Sequence, residues 1–299
     1  MNRPIYHTSR SRRAPIKDIL LSEAFDGFMM ACNARKLSEN TITDYSRTLR
    51  RFLVHVGNSP IRDITSAQIA AFLAAQPWSE KTVLNYHIGL AALWTWAIRE
   101  DYVDKHIVRM TPRPRPRKLV IEPFTEQEIR ALLASCKGKT AARNRAVILL
   151  LLDTGVRATE LCELKFSDID MQRRQIRVLG KGNKERLSPF SDPTYQALFD
   201  HLLAEHVKGT GERPFQFNRN SLAHLMQRIG NVAGVHDCHP HRFRHTFAVA
   251  YLRNGGDVFS LQEILGHSTM ETVKIYLKIA QVDIDQAHRR ASPVANWNL

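Results

Sequence analysis

The segment Thr111-Pro-Arg-Pro-Arg-Pro-Arg-Lys118 sets the strongest limit on how this chain folds. Alternate prolines lack the amide hydrogen that helices and sheets use, and each forces the residue before it into an extended conformation. The segment is therefore predicted to be a semi-rigid, strongly basic linker. It divides 299 residues into two parts, each long enough for a hydrophobic core of its own. We predict domains at 15–110 and 121–299, joined by a linker at 111–120.

The net charge points to a polyanionic partner. The chain carries 43 Lys and Arg against 29 Asp and Glu, a net charge of +14, and 19 of the basic residues lie in residues 1–120 with only 10 acidic ones. Nucleic acid is the first candidate and an anionic membrane surface the second. No stretch approaches the roughly 20 apolar residues of a transmembrane helix, and the basic start lacks a signal-peptide pattern, so a cytoplasmic location is expected.

Apolar spacing predicts that the first part is all-helical. Residues recur at intervals of three and four, which places them on one face of a helix. Helices are predicted around 20–32, 38–56 and 66–74, and a fourth follows Ser79. We expect a compact helical bundle with a basic rim. The apolar face of the second helix consists of Ile42, Tyr45, Leu49, Phe52 and Val56.

The second part is predicted to be mainly helical with one small β-hairpin. Thr125-Glu-Gln-Glu128 is a capping box at the start of a helix, and another helix is expected at 142–153. Short β-like pieces at 175–179 and 186–189 flank a glycine-containing turn, and helices resume after Pro193. The predicted fold class is therefore mainly α.

Cysteines and histidines give no sign of a metal site or of disulfides. The cysteines are far apart and form no Cys-x-x-Cys pair, so buried reduced thiols are expected. The histidines near residue 240 lack an acidic or thiolate ligand at the familiar metalloprotease spacing, and no metal is predicted. These residues are Cys32, Cys136, Cys162 and Cys238, and His236, His239, His241 and His245.

Two patterns in the second part bring basic side chains to sharp turns. In Asp153-Thr-Gly-Val-Arg157-Ala-Thr-Glu160, Gly155 permits a break between helices, and Arg157 and Glu160 lie on one helical face, where the carboxylate can hold the guanidinium. Read alone, this pair is a structural ion pair. In Gly180-Lys181-Gly-Asn-Lys184, glycines let Lys181 project from a hairpin tip, although the spacing is not that of a P-loop.

Two further patterns place imidazoles, a guanidinium and a phenol in the last third of the chain. Pro240 suits a first helical turn, and His241, Arg244 and His245 share a face there, at a helix N-terminus that favours anions. Leu265-Gly266-His267 ends another helix, and Tyr276 follows nine residues later. Each pattern alone has an ordinary structural explanation; their joint occurrence does not.

Taken in order, these patterns resemble those of the tyrosine recombinases, or phage integrase family, and the two-part layout resembles its Xer-type members. The resemblance implies a SAM-like helical core-binding domain followed by a catalytic domain that cleaves and rejoins DNA through a 3′-phosphotyrosine. It assigns as catalytic residues Arg157, Lys181, His241, Arg244, His267 and, as the nucleophile, Tyr276. His245 is interpreted as structural. Many relatives have Tyr-x-His here, whereas Leu277 and Lys278 follow Tyr276; that position is not a core catalytic one.

The implied chemistry suits these residue types. Paired guanidiniums stabilise the negative charge that develops on the phosphate. An imidazole such as His241 accepts the proton of the tyrosine, and His267 donates a hydrogen bond to the phosphate. Lys181 protonates the leaving 5′ hydroxyl. No cofactor and no metal are required. The expected partners are double-stranded DNA with a specific site and further copies of the chain, a tetramer in the synaptic complex, with a partner recombinase or DNA-bending factor left open. The segment 280–299 is a candidate for docking on a neighbouring copy.

Three other functions remain open from the sequence. A type IB topoisomerase shares the tyrosine chemistry but relaxes DNA. A DNA-binding protein without catalysis would suit the charge, although binding needs no such set of residues. A metal-dependent nuclease would stop working in EDTA.

Overall fold

The computed structural model describes residues 17–75, 77–116, 121–180, 185–208, 212–266, 276–277, 288 and 292–297. The chain divides into two compact units, Met1–Leu119 and Val120–Leu299. Helices dominate both, and the only sheet among the described residues is small and antiparallel. This confirms the predicted fold class.

The first unit is a helical bundle. Its helices are α1 (Leu21–Ala34), α2 (Glu39–Val56), α3 (Ser66–Ala74), α4 (Glu80–Arg99) and α5 (Ile107–Met110), with a 3₁₀ turn at Ile61–Asp63. The core holds the aromatic rings of Phe52, Phe72 and Trp94, none more than 2% exposed. The ring of Phe52 meets those of Phe72 and Trp94 edge to face, an arrangement that aromatic quadrupoles favour.

Hydroxyl side chains fix where the helices of this unit begin. Ser38, Thr65 and Ser79 each accept a hydrogen bond from the backbone amide three residues further on, which satisfies a donor that the helix itself cannot. The predicted starts at 38, 66 and 79 therefore agree with the structure to within one residue. The short helix α5 was not predicted, because four residues are too few to show a period.

The second unit surrounds the buried helix α7. Its described helices are α6 (Glu126–Ala134), α7 (Ala141–Thr154), α8 (Ala158–Glu163), α9 (Asp192–Lys208), α10 (Arg219–Ala233), α11 (Pro240–Arg253) and α12 (Val258–Leu265), with a helical turn at Pro293–Asn296. Val147, Ile148, Leu150 and Leu151 on α7 are completely buried. The four cysteines are buried and unpaired.

A three-stranded antiparallel sheet lies between α8 and α9 in sequence. Its order is β1 (Ile169–Asp170), β2 (Gln175–Leu179) and β3 (Glu185–Pro189), with Val178 opposite Arg186 and Ile176 opposite Ser188. The hairpin was predicted, but the two-residue strand β1 was not. The hairpin tip lies outside the described residues. No described helix is long and apolar enough to cross a membrane.

Candidate active site

Four of the six predicted site residues can be placed. Arg157 precedes α8, His241 and Arg244 lie in the first two turns of α11, and Tyr276 is in a helical conformation. Lys181 and His267 lie outside the described residues, as does most of the segment 280–299. Of the four, the structure brings Arg157, Arg244 and Tyr276 into one electrostatic cluster.

Gly155 makes the turn that brings the site's elements together. It ends α7 in the left-handed conformation, at φ +61°, which favours glycine. A Cβ there would lie 2.5 Å from Cδ1 of Phe247 and 2.7 Å from Cδ2 of Leu265, far inside van der Waals contact. Helices α11 and α12 therefore approach the backbone of this turn directly, and its carbonyl faces Arg244.

Glu160 holds two arginines. Its Oε2 accepts a hydrogen bond of 2.7 Å from the amide of Arg157, and its Oε1 lies 2.7 Å from Nη1 of the same residue. Both terminal nitrogens of Arg186 also donate to this carboxylate, at 3.0 and 2.7 Å. Burial alone would raise the pKa of Glu160, but the hydrogen bonds and charges of Arg186 and Arg157 outweigh it and lower the pKa to about 2. The predicted pairing of Arg157 with Glu160 is confirmed.

Arg244 is a buried cation, only 2% exposed. Its Nη1 donates to the carbonyl of Gly155 at 2.6 Å and its Nη2 to the carbonyl of Leu265 at 2.7 Å. Burial and the neighbouring charge of Arg157 lower its pKa to about 10, which leaves it protonated at neutral pH. The guanidinium also hydrogen-bonds the side chain of Tyr276.

Three arginines converge on one turn at the end of α12. Arg186 Nε donates to the carbonyl of Ile264 at 2.8 Å, Arg244 binds that of Leu265, and Arg157 Nη2 lies 3.4 Å from that of Gly266. Three consecutive carbonyls thus each face a guanidinium from a different part of the fold. Helix C-terminal carbonyls carry partial negative charge, so cations stabilise this end.

Tyr276 is 5% exposed and belongs to a small apolar cluster formed with α11 and α12. Burial raises its pKa, and the charges of Arg244 and Arg157 act in the opposite direction. Its ring contacts that of His245, with centroids 5.2 Å apart and planes tilted by 54°. The phenol is thus held beside two guanidiniums but stays protonated at neutral pH.

The side chain of His241 is exposed at the start of α11. Partial desolvation and the charges of Arg244, His239 and Arg157 lower its pKa, so its ring is neutral at pH 7. A neutral imidazole can donate one hydrogen bond and accept one proton.

The neighbouring Arg242 contacts a different part of the unit from Arg244. Its guanidinium lies 3.9 Å from the ring centroid of Phe124 and 3.0 Å from Oε1 of Glu128, and its Nε donates to the carbonyl of Glu122. These contacts tie the start of the second unit to α11. Arg242 is therefore structural, whereas Arg244 is the arginine of this motif that lies beside Tyr276.

Sequence reasoning missed Arg186 and the contact of His245 with Tyr276. In β3, Arg186 and Ser188 point inward while Leu187 is 55% exposed, the reverse of the usual alternation. The carboxylate of Glu160 was the available signal, because a buried carboxylate needs partners for its charge and Arg157 alone leaves room for a second. No group of His, Cys, Asp or Glu able to hold a metal occurs among the described residues.

Comparison with known proteins gives consistent matches over both units. Residues 122–282 match the phage integrase family and residues 25–104 match the phage integrase N-terminal SAM-like domain. Tyrosine recombinase XerC of Corynebacterium glutamicum is 38% identical over 227 residues, 73% of this chain and 74% of the relative. Tyrosine recombinase XerD of Mycobacterium leprae is 30% identical over 295 residues, 87% and 93% of the two chains.

A solved structure shares the fold. The lambda integrase dimer bound to a COC′ core site superposes with a TM-score of 0.73 at 19% identity, over 87% of this chain and 77% of that one.

Proposed function

Because the chain belongs to the phage integrase family and is a site-specific DNA recombinase, we propose that Arg157, Arg244 and Tyr276 form the centre at which it cuts and rejoins DNA. The observation that carries this proposal is the buried phenol of Tyr276 hydrogen-bonded to the guanidinium of Arg244. A phenol placed only for packing would not need a buried cation at its hydroxyl.

The two guanidiniums bind the phosphate that Tyr276 attacks. In-line attack adds charge to the non-bridging oxygens, and fixed planar donors stabilise that charge in a site from which water is excluded. Glu160 keeps Arg157 in place, and the carbonyls of Gly155 and Leu265 keep Arg244 in place. Because these contacts already exist, little reorganisation is needed when the phosphate arrives.

Proton transfers complete the reaction. Tyr276 must give up its proton to a base. His241 and His245, which share a face of α11, are the two candidate bases near it among the described residues. Lys181 protonates the departing 5′ oxygen as general acid, and His241 and His267 donate hydrogen bonds to the phosphate. The product is a 3′-phosphotyrosine and a free 5′ hydroxyl. Religation reverses these steps and needs no nucleotide, cofactor or metal.

The partners follow from the reaction. Strand exchange between two duplexes opens four strands in all, and each protomer carries one nucleophile, so four copies assemble on paired sites. Residues 15–110 form the helical core-binding domain, 111–120 the basic linker that follows the DNA backbone, and 121–299 the catalytic domain. A cytoplasmic location suits a DNA substrate of this kind.

The test is covalent capture of DNA. Purified protein is incubated in EDTA with a pool of duplexes whose central segment is randomised, and denaturation-resistant adducts are isolated. The wild type is expected to form an adduct, and Tyr276→Phe is expected to form none. Tyr195→Phe, a half-buried tyrosine on α9, is the matched control and should behave as wild type. An adduct that survives Tyr276→Phe contradicts the assignment of the nucleophile.

The captured sequence also separates the remaining alternatives. A recombinant product between two copies of the captured site excludes a type IB topoisomerase, which would only relax supercoils. Loss of all activity in EDTA would instead indicate a metal-dependent nuclease. Binding without any adduct would indicate a DNA-binding protein without catalysis.

A further inference from the structure

His245 is a buried titratable group to which the reaction described above gives no definite task. It lies one turn after His241 on α11 and is 5% exposed. Its ring is in contact with that of Tyr276, the centroids being 5.2 Å apart. Its Nε2 has no hydrogen-bond partner among the described residues and is fully shielded from solvent. A buried polar atom without a partner costs free energy, and among the described residues only this nitrogen and Nε2 of His87 are in that position.

The other ring nitrogen defines the tautomer. A hydrogen bond with the backbone of Ile121 favours the protonated ring, as expected when a ring N–H donates to a carbonyl oxygen. Since Nε2 has no partner, the donor is Nδ1. Burial and the charge of His241 lower the pKa of His245, so the ring is neutral at pH 7. Nε2 therefore carries a lone pair and no proton.

We propose that Nε2 of His245 is the proton acceptor for the Tyr276 hydroxyl, a role first expected of His241. The proposal rests on the proposed function and names the base of that same site. The side chain of His241 is exposed at the start of α11, whereas that of His245, one turn further along, is buried against the ring of Tyr276. Nε2 of His245 and the hydroxyl of Tyr276 do not form a hydrogen bond in this structure. Catalytic hydrogen bonds commonly form only when the substrate is bound.

The step is balanced in both directions. As the Tyr276 oxygen bonds to phosphorus, its proton moves to Nε2 of His245; as the bond from phosphorus to the 5′ oxygen breaks, that oxygen takes a proton from Lys181. Religation returns both protons. The imidazolium formed meanwhile is buried, and burial disfavours its charge, so the ring readily gives the proton back.

The test compares single-turnover cleavage of the captured duplex by wild type and by His245→Phe between pH 7 and pH 9. Phenylalanine keeps a ring against Tyr276 but removes the nitrogen. At pH 7 the rate is expected to fall about 10²-fold, a usual contribution of a general base. The deficit should shrink roughly tenfold per pH unit, because hydroxide then generates the phenolate. A deficit that stays constant with pH overturns the proposal, as does a wild-type rate.

Three further variants separate catalysis from stability. His201→Phe removes another buried histidine, on α9, and reports the general effect of such a change; it should leave the rate per folded molecule and its pH profile unchanged. The cleavage rate of His241→Gln should not recover as the pH rises. A DNA substrate with a 5′-bridging phosphorothiolate has a leaving group that needs no proton. On this substrate the cleavage rate of Lys181→Ala should recover and that of His245→Phe should not. Recovery of His245→Phe on that substrate contradicts the proposal.

A second measurement needs no DNA. Nitrogen-15 NMR of the imidazole rings of the wild type, assigned through correlations to the backbone, should show the proton of His245 on Nδ1 and an unprotonated Nε2 at pH 7. A proton on Nε2 overturns the proposal even if the variant fails to fold.

The outcomes also distinguish the two proposals. If the wild type forms no adduct through Tyr276, the proposed function itself fails. If the wild type forms the adduct and His245→Phe cleaves at the same rate, only the role of His245 fails.

Discussion

At the scale of single residues, one carboxylate decides the position of two cations. Glu160 is 8% exposed and receives four hydrogen bonds from Arg157 and Arg186. A buried charge that loses its partners is strongly unfavourable, whereas an exposed pair contributes little. The position of Arg157 thus depends on the carboxylate of Glu160.

Replacing Glu160 by Gln is expected to lower the free energy of unfolding at pH 7 by about 3 kcal/mol, because two guanidiniums lose their counter-charge. The folded pKa is about 2 against an ordinary value of 4.5, so the carboxylate stabilises the fold fully above pH 4.5. This stabilisation is lost as pH falls from 4.5 toward 2, and the difference between wild type and variant should narrow over that range. Urea unfolding at several pH values measures it. Glu126→Gln, which removes an exposed pair with Arg130, should change stability by less than about 0.5 kcal/mol.

The two arginines of α11 should separate activity from stability. Arg244→Lys loses bidentate geometry at the phosphate and is expected to slow adduct formation about 10²-fold or more. Arg242→Lys weakens the contacts with Phe124 and Glu128, so it should lower the free energy of unfolding by about 2 kcal/mol and leave the rate per folded molecule unchanged. Thermal unfolding and single-turnover cleavage of both variants measure this. A rate defect confined to Arg242→Lys would reverse the two assignments.

At the scale of elements, the site is built where helices end. Gly155 ends α7 and Gly266 ends α12, both in the left-handed conformation, and both carbonyls face arginines. The approach of α11 and α12 to the turn at 155 leaves no room for a methyl group.

Gly155→Ala is expected to destabilise the second unit by about 3 kcal/mol, from the strained backbone together with the overlap with Phe247 and Leu265. Gly234→Ala is the matched control: its φ is +69°, but nothing lies within 4 Å of the added carbon, so it should cost only about 1 kcal/mol. Chemical unfolding of both variants gives the comparison. Equal effects at the two positions would mean that crowding at Gly155 is unimportant.

The sequence predicts these elements unevenly, for physical reasons. Helix starts are readable because Ser38, Thr65 and Thr125 cap by a local rule. Arg157 with Glu160 is readable for the same reason, being three residues apart. The contact of Arg186 with Glu160 joins residues 26 apart through the register of a hairpin, and the contact of His245 with Tyr276 depends on how two helices pack. No local pattern encodes either.

At the scale of the whole molecule, positive charge is concentrated in the part that precedes and includes the linker. Arg113 and Arg115 lie in a described stretch without helix or strand. An extended segment of this kind can follow a phosphate backbone, and each phosphate contact releases counterions.

Replacing Arg113, Arg115 and Arg117 together by Gln is therefore expected to weaken DNA binding and to reduce the slope of log affinity against log salt by up to about 3. The cleavage rate at saturating protein should stay unchanged, because the linker holds none of the reacting groups. Binding titrations over a range of salt concentrations measure the slope. The triple Lys substitution retains the charge and should retain the slope; a slope unaffected by the Gln substitutions would show that the linker is only a spacer.

The turn at the end of α12 has a consequence for protein engineering. Its three carbonyls accept hydrogen bonds from arginines on α11, on β3 and just before α8. The position of this turn is therefore fixed by contacts with the rest of the second unit. A chimera that takes its nucleophile segment from another recombinase should be joined after Gly266, with the host turn and its three arginines left intact. A junction placed earlier would bring a foreign helix end to guanidiniums arranged for this one.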